Sequence, residues 1–515
     1  MTDRTALHVL FSLLTVAPLS LSLAAESKPE KPNIVYILAD DLGYGDVHCL
    51  NPQRGKIKTP NLDKLAGQGM TFTDAHSGSS VCTPTRYGLL TGRLAWRTRL
   101  QSGVLYGFAP PLIAPGRLTV PAFLKQHGYT TACVGKWHLG MNLALHADSV
   151  QPGKIDRQEA ATVDWSKPIQ DGPTSCGFDT FFGISASLDM PPFAYIENDR
   201  FTQPATSTKK FLREGPAAAD FEAVDVLPTF SRKACDTIAA RAAEAKAGRP
   251  FFLYLPLNSP HTPLVPSAAW RGKSGLGDYA DFVMQTDAVV GDVLEALEKS
   301  GLADNTLVIV TSDNGCSPAA GTAKLEAQGH FASAQYRGYK ADIWDGGHRV
   351  PFLVRWPGKV KPGSQSAQII CHTDLLATCA DILGAKLPDT AGEDSASLLP
   401  VLLGKDNRPV HEAVVHHSIN GNFAIRQGQW KLEFCPGSGG WSKPRDAEAL
   451  KQGLPHIQLY DLSADPSEAR NVQAENPEVV ARLTQLLERY VSSGRSTPGA
   501  PQANDTDVHI IKTAR

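Results

Sequence analysis

The sequence predicts an α/β fold built around a largely parallel β-sheet. Four segments are apolar without alternation, which is typical of strands that are covered on both faces. Segments with helical spacing of apolar residues lie between them, and this alternation indicates an α/β domain. The four predicted strands are Asn33–Ala39 and residues 129–134, 250–255 and 305–310.

Local patterns predict the remaining elements. The clearest helix covers residues 281–300, where apolar side chains recur at every third or fourth position. A last helix begins after Asn476, a good capping residue, with Pro477 at its first position. Short strand-like segments near the C-terminus predict a small antiparallel sheet. They cover residues 413–416, 422–426, 430–434 and 457–460.

The chain divides into four parts by composition. Two polar stretches, residues 143–176 and 202–221, interrupt the main part and are expected to be surface insertions. The C-terminal tail is polar, and we expect it to fray. The predicted parts are a signal peptide at 1–25, a main domain at 26–400, a small α+β subdomain at 401–492 and the tail at 493–515.

The N-terminus has the pattern of a signal peptide. Arg4 precedes an apolar run over residues 7–23, and the small residues Ala24 and Ala25 follow it. A membrane anchor is the alternative, but Pro18 and several serines interrupt the run. The only Asn-x-Ser/Thr site without an intervening proline is at Asn504, which favours a bacterial envelope. We therefore expect export to the periplasm or the extracellular space.

The overall composition excludes several classes of protein. The 515 residues carry 50 basic and 52 acidic side chains, a net charge of −2. Such a weak field is unlike that of nucleic-acid-binding proteins or of proteins that bind anionic membranes. With 42% hydrophobic and 20% charged residues, the chain is also unlike disordered proteins. No second apolar run is long enough to span a membrane.

Each predicted strand of the large sheet leads into polar residues that a core would not select. In open α/β sheets, ligands bind beyond the carboxyl ends of the strands, so these residues are expected to form one site. Each alone could serve a turn or a solvated loop instead. The residues are Asp40 and Asp41, Lys136 and His138, Asn258 and His261, and Asp313 and Asn314.

Residues 81–93 contain a cysteine in an unusual setting. Pro84 suits the first turn of a helix, which places Cys82 just before that helix, at the positive end of its dipole. Arg86, four residues on, lies on the same face as Cys82. A nucleophile and a guanidinium would thus meet at a site prepared for an anion. The alternative is a buried thiol or a half-disulfide.

The motifs in this chain resemble those of the formylglycine-dependent sulfatases. Cys-x-Pro-x-Arg at residues 82–86 is followed by Leu-x-Thr-Gly-Arg, and a second motif runs from Gly128 to Gly140. The resemblance extends from Pro32 to about Tyr490. It implies an alkaline phosphatase-like fold, in which a large mixed sheet lies between helices and a small C-terminal antiparallel sheet with a helix follows.

The resemblance also implies a reaction. Cys82 would be oxidised to formylglycine (3-oxoalanine) by a formylglycine-generating or equivalent maturation enzyme. One hydroxyl of the hydrated aldehyde would attack sulfur, expel the alcohol and form a covalent sulfate ester. The second hydroxyl would then lose its proton, and sulfate would leave as the carbonyl re-forms. A serine at this position would lack that second oxygen and would remain sulfated.

A metal site is implied by the same resemblance. Asp40, Asp41, Asp313 and Asn314 would be its ligands, completed by the modified Cys82 and by the substrate sulfate. Hard oxygen ligands suit Ca²⁺ or Mg²⁺ rather than zinc, and the family points to Ca²⁺. Three carboxylates also need such a cation before they can lie close together.

The remaining implied roles are electrostatic or acid–base. Arg86 would stabilise the nucleophile, and Lys136 and Lys340 would bind sulfate oxygens and offset the charge of the transition state. His138 would assist deprotonation of the diol, and His261 would act at the leaving oxygen as general acid or sulfate ligand.

Two of these assignments depend on looser matches to the family. Ser187 matches a position near the hydrated aldehyde and would bind substrate, with Ser185 as a substitute. Near Lys340, Asp345 stands where the family pattern has Glu, although the match resumes at residues 349–351.

Two rival functions remain open from the sequence. A formylglycine-dependent phosphonate or phosphate ester hydrolase could share this site, whereas a two-zinc phosphatase would need histidine ligands that are absent from the matching positions. A secreted, non-catalytic glycan-binding pseudo-sulfatase would be expected to carry damaged site residues, yet every matched position is competent.

The expected substrate is a sulfated carbohydrate, with aryl sulfates as artificial substrates. Specificity is expected to come from insertions and from the rim of the site. Candidate specificity residues lie at 187–200, in the insertion before Cys176, and at Trp344, His348, His416 and His417.

Overall fold

A computed structural model of the chain describes residues 1–2, 31–146, 162–405 and 408–512. The predicted signal peptide, apart from its first two residues, and much of the predicted insertion at 143–176 lie outside the described residues. Among the described residues, no helix has the length and apolar character that crossing a membrane requires.

The centre of the molecule is a mixed sheet of ten strands. Its five middle strands are parallel neighbours, and antiparallel pairs occur toward both edges. All four predicted strands are present to within two residues. In sheet order the strands are β13 (Ser364–Ser366), β2 (Met70–Phe72), β12 (Phe352–Arg355), β11 (Thr306–Ser312), β1 (Asn33–Ala39), β10 (Phe251–Pro256), β4 (Thr130–Lys136), β5 (Thr180–Ile184), β6 (Ile196–Glu197) and β7 (Arg200–Phe201).

Helices cover both faces of this sheet. Alternate side chains of β1 enter two different cores: Val35 and Ile37 face one, and Tyr36 and Leu38 face the other. The predicted helix at 281–300 is present as α5. The helices of the described residues are α1 (Pro60–Gln68), α2 (Cys82–Thr91), α3 (Val120–Gln126), α4 (Ala223–Lys246), α5 (Asp278–Lys299), α6 (Thr322–Ala327), α7 (Asp345–His348), α8 (Leu375–Ile382), α9 (Leu399–Leu402), α10 (Asp446–Lys451) and α11 (Pro477–Ser492).

A second, four-stranded antiparallel sheet lies near the C-terminus, as predicted. Its strands are β15 (Val414–His417), β16 (Phe423–Gln427), β17 (Trp430–Glu433) and β18 (Gln458–Asp461). Leu483 and Leu487 of α11 pack on the sheet and complete a separate core with Ile425 and Leu432. Two small sheets pair β3 (Ala75–His76) with β14 (Ile370–Cys371) and β8 (Ser207–Phe211) with β9 (Arg213–Ala217).

The expectation that the C-terminal tail frays is wrong for its described part. Asp505 binds the guanidinium of Arg93 at 3.0 Å, and the Asn504 side chain accepts a hydrogen bond from Arg97 at 3.1 Å. Both arginine side chains are fully buried, and a buried guanidinium needs acceptors for its N–H groups. The tail supplies some of these acceptors, and this holds it against the body of the protein.

Candidate active site

The predicted site residues converge at the carboxyl edge of the parallel strands. Asp40 and Asp41 directly follow β1, and Asp313 and Asn314 directly follow β11. Because β11, β1, β10 and β4 are successive parallel strands, their carboxyl ends lie along the same edge of the sheet. The residues that follow β4 and β10 therefore lie near those that follow β1 and β11. All twelve residues expected in the site, including Asn258, are at most 7% exposed.

Cys82 lies among charged groups at the start of α2. The helix begins at Cys82 itself rather than one residue later, with Pro84 in its first turn as expected. The thiol Sγ lies 3.5 Å from Asp40 Oδ1 and 3.5 Å from Lys340 Nζ. Burial, together with the charge of Asp313, raises the pKa of this thiol. An unmodified Cys82 would therefore be a neutral thiol and a poor nucleophile at neutral pH.

Three buried cations pair with the three carboxylates around Cys82. Lys136 Nζ lies 2.7 Å from Asp40 Oδ2, and Lys340 Nζ lies 2.7 Å from Asp41 Oδ1. Burial alone would raise the pKa of Asp40, but the charge of Lys136, reinforced by neighbouring cations, holds that pKa well below its usual value. Asp40 is thus ionised, as a metal ligand must be.

Arg86 ties the third carboxylate into the same network. Its Nη2 lies 2.7 Å from Asp313 Oδ2 and 3.4 Å from Asp40 Oδ1, while Nη1 donates to the carbonyl of Lys136. Burial and the nearby charge of Asp40 raise the pKa of Asp313. Because its pKa is raised, Asp313 needs the positive charge of Arg86 to stay ionised.

Ser187 and His261 close the opposite side of the site. Lys136 Nζ lies 3.3 Å from Ser187 Oγ, which in turn lies 3.3 Å from His261 Nδ1. His261 Nε2 lies 3.7 Å from Asp41 Oδ2. Ser185 contributes its backbone carbonyl to His138 N. The geometry thus favours Ser187 over Ser185 as the serine of the site.

His138 is held as a neutral imidazole. Its Nε2 donates to the carbonyl of Leu105 at 2.7 Å, and its buried Nδ1 has no hydrogen-bond partner among the described residues. Burial and the charge of Lys136 lower the pKa of His138 well below its usual value. Its backbone φ of 56° lies in the left-handed region, as does that of Asp41 at 66°. Such conformations in residues other than glycine are concentrated at functional sites.

The donor set fits a hard divalent cation. Ligand atoms of Asp40, Asp41, Cys82 and His261 all lie within 4.8 Å of one another. The buried Oδ1 of Asn314 has no hydrogen-bond partner among the described residues, while Nδ2 donates to Asp41 Oδ1 at 2.7 Å. This free amide oxygen and the adjacent carboxylates are ligands of the kind that Ca²⁺ and Mg²⁺ prefer.

Two side chains contribute to the site in ways that the sequence did not predict: Asn258 was expected there without a role, and Tyr279 was not expected there. The side-chain amide of Asn258 is fully buried beyond β10, and neither of its polar atoms has a partner in the described part of the chain. Tyr279, on α5, donates toward the carbonyl of Asp41 at 3.2 Å and toward Asp46 Oδ2 at 2.5 Å. The position of Asn258 at a strand end was the available signal, whereas nothing in the sequence distinguished Tyr279 from a core residue.

The expected rim residues near the small sheet are buried instead. Trp344, His348, His416 and His417 are each at most 1% exposed. Strand β15 packs against the segment that leads to Cys82, with an isolated bridge between Ser79 and His417. Trp344 lies in a small core with Ala424 and Tyr460 of the small sheet, and the three histidines are equally enclosed. The assignment of these four side chains to an exposed rim was wrong.

The chain matches known sulfatases over most of its length. A model of the family described as Sulfatase covers residues 32–385, and one described as the C-terminal part of N-sulphoglucosamine sulphohydrolase covers residues 339–437. An N-acetylgalactosamine-6-O-sulfatase of Bacteroides thetaiotaomicron is 35% identical, with 89% of this chain and 93% of the relative aligned. Human arylsulfatase A is 34% identical, with coverages of 91% and 90%.

A solved structure gives the same result. A protein from a study of glycosaminoglycan metabolism in Bacteroides thetaiotaomicron superimposes with a TM-score of 0.76 at 34% identity. The superposition covers 89% of this chain and 99% of that one. The resemblance inferred from the motifs and the alkaline phosphatase-like fold are both confirmed, and the rival functions are not favoured. The chain belongs to the sulfatase family and is a hydrolase of sulfuric esters.

Proposed function

We propose that this sulfatase removes sulfate from a carbohydrate ester, using formylglycine formed from Cys82 beside a calcium ion. The observation that carries the proposal is the position of Cys82 Sγ, 3.5 Å from both a carboxylate oxygen and a lysine ammonium. Burial suppresses its reactivity as a thiol, so conversion to an aldehyde gives this cysteine a chemical role that the thiol lacks.

Asp40, Asp41, Asp313 and Asn314 would hold the calcium ion. When bound, the ion and the hydrated aldehyde supply, respectively, a positive charge for sulfate oxygens and a hydroxyl nucleophile. Three buried carboxylates face three buried cations, so a divalent ion leaves the site with two excess positive charges. That excess favours an anionic substrate group such as a sulfate monoester.

The side chains around Cys82 would bind the sulfate group and transfer protons during the reaction. Lys136 and Lys340 are placed to donate to sulfate oxygens, and Arg86 keeps Asp313 ionised beside Cys82. Neutral His138 has a free Nδ1 that can accept a proton. His261, which the Ser187 hydroxyl connects to Lys136, would protonate the leaving oxygen.

The carbohydrate assignment rests on the relatives and not on a pocket of this chain. The most informative relative is named for N-acetylgalactosamine 6-O-sulfate, a sulfated sugar. The N-terminal leader pattern supports export of the enzyme to a compartment where extracellular glycans occur. A maturation enzyme that recognises Cys82 and the Pro84–Arg86 segment would be its partner before folding.

A screen of defined sulfated saccharides tests the proposal. The full chain is produced with a maturation enzyme, and conversion of Cys82 is measured by mass spectrometry before sulfate release is assayed. We expect turnover of at least one sulfated saccharide, and none by Cys82→Ala. Faster turnover of aryl phosphate than of aryl sulfate, or cleavage of aryl sulfates with no saccharide accepted by converted enzyme, would contradict the proposal.

A further inference from the structure

A second buried cluster of metal-ligating side chains lies outside the active site. His76 on β3, His348 at the end of α7 and His416 on β15 form this histidine cluster, and none has measurable solvent exposure. A ligand nitrogen from each ring lies within 4.8 Å of those of the other two. His76 Nδ1 and His348 Nδ1 lie 3.0 Å apart.

In each ring the outward-facing nitrogen already has a hydrogen-bond acceptor. His76 Nε2 lies 2.6 Å from Asp74 Oδ1, His348 Nε2 lies 3.0 Å from the carbonyl of Ile343, and His416 Nδ1 lies 3.0 Å from the carbonyl of Ser77. A carboxylate and two carbonyls only accept, so each of these nitrogens carries the proton of its ring.

Arg426 Nη1 also lies 3.3 Å from His76 Nε2, but both groups are then donors. The shorter contact with Asp74, at 2.6 Å, decides the tautomer of His76. The guanidinium itself is satisfied by Asp74, at 2.7 and 2.8 Å.

The inward-facing nitrogens are consequently bare. In the neutral rings His76 Nδ1 and His348 Nδ1 present lone pairs to each other across 3.0 Å. His416 Nε2 is buried and has no hydrogen-bond partner within the described ranges. The lone pairs of His76 Nδ1 and His348 Nδ1 therefore repel each other, and a cation among the three nitrogens would remove that repulsion and satisfy His416 Nε2.

That cation could be a metal ion or an added proton. Burial lowers the pKa of all three histidines, which disfavours an imidazolium here and favours the neutral form that metals bind. Outer acceptors that fix the tautomer, as Asp74 and the two carbonyls do, are the usual surroundings of metal-bound histidines. Imidazole ligands suit zinc, copper, nickel and iron rather than calcium.

We propose that the histidine cluster binds one divalent transition-metal ion of the zinc class, through His76 Nδ1, His348 Nδ1 and His416 Nε2. Water would take the fourth position of a tetrahedral shell. The rings of His348 and His416 are stacked, with centroids 4.0 Å apart and planes at 13°. Binding therefore requires these two rings to rotate apart until both nitrogens point at the ion.

The three ligands come from segments that pack at the base of α2. Ser77, next to His76, donates its N–H to the carbonyl of His348, and Ser80 donates to the carbonyl of His417. The segment between His76 and Cys82 is therefore held by both the α7 and the β15 regions. An ion shared by the three histidines cross-links these regions and stabilises the segment that positions Cys82.

Metal analysis of the full-length protein tests this site. Protein from zinc-supplemented cells is dialysed and digested, and its metals are counted. We expect about one zinc-class ion per chain, in addition to calcium, that dialysis does not remove, because all three histidine ligands are buried. His416→Gln should lose this ion. His417→Gln changes the next buried histidine of the same strand and should retain it.

A second measurement keeps the test decisive if His416→Gln fails to fold. X-ray absorption at the zinc edge of the wild-type protein should show three imidazole nitrogens around the ion. An oxygen-only shell would place the ion in the active site instead and would overturn the proposal. So would folded wild-type protein that, after incubation with excess Zn²⁺ and dialysis, holds no more zinc than His416→Gln.

Discussion

The active site and the histidine cluster are both buried and polar, yet they differ in donors and in access. The active site offers carboxylate and amide oxygens with three cations, and its His261 and Lys340 remain 7% and 5% exposed. The histidine cluster offers nitrogens and has no exposed member. A substrate must reach the first cluster, whereas the second can only join parts of the fold. The donor types thus predict different ions, calcium at the oxygen ligands and a zinc-class ion at the nitrogens. The difference in solvent access predicts catalysis at the first site and a structural role for the second.

Replacing the proposed nucleophile should give the largest effect. Cys82→Ser produced without a maturation enzyme keeps its single hydroxyl and is not an aldehyde, so turnover of a sulfate ester should fall by about three orders of magnitude or more below that of the converted wild type. The serine lacks the second hydroxyl that expels sulfate, so mass spectrometry after incubation with substrate should find one sulfate attached to this residue. Multiple turnovers by Cys82→Ser at a rate near that of the converted wild type would contradict the role of formylglycine.

Selective removal of one ion should separate the two clusters. A chelator that prefers calcium to zinc should abolish turnover, because the carboxylates of Asp40 and Asp41 would then neutralise Lys136 and Lys340, the lysines proposed to bind sulfate. Its effect on the zinc content of the protein should be negligible. Recovery of turnover on adding Ca²⁺ alone is the control, and loss of both ions together would show that the sites are not independent.

Charge removal beside Cys82 should give an intermediate effect. Lys340→Met removes a donor that lies 3.5 Å from Cys82 Sγ, and kcat should fall by about 10²–10³-fold. Lys324→Met, an exposed lysine on α6, is the matched control and should leave kcat unchanged. A change confined to KM would mean that Lys340 binds the ground state and the transition state equally.

The smallest effect concerns stability in acid. Burial lowers the pKa of His417 from 6.5 to about 3. The unfolded chain thus binds a proton below about pH 6.5 that the folded chain rejects, and this stabilising contribution is complete above pH 6.5 and is lost as the pH falls. Between pH 7 and pH 5 this histidine should cost about 2 kcal/mol of unfolding free energy. In urea denaturation, the loss of unfolding free energy between pH 7 and pH 5 should be smaller by this amount in His417→Gln than in the wild type. An equal loss in both proteins would show that His417 does not contribute to it.

The sequence by itself determined the strands, the main helices and the convergence of the predicted site residues at one edge of the sheet. Uninterrupted apolar runs specify strands covered on both faces, and parallel neighbours end at one edge, so Asp40 and Asp313 could be placed together without coordinates. The motif around Cys82 is continuous in the chain, which is why the reaction could be inferred from it. The preference for Ser187 over Ser185 needed the hydrogen bonds to Lys136 and His261.

Only the tertiary structure decided the histidine cluster, the position of the tail and the burial of Trp344. His76, His348 and His416 lie on three separate elements, and no motif in the sequence connects them. Their convergence depends on how strand β15 packs against the segment that precedes α2, a long-range contact that no local spacing encodes. The local spacing of apolar residues predicts which face of each segment is buried. Whether polar side chains from distant segments lie together depends on the packing of the whole chain.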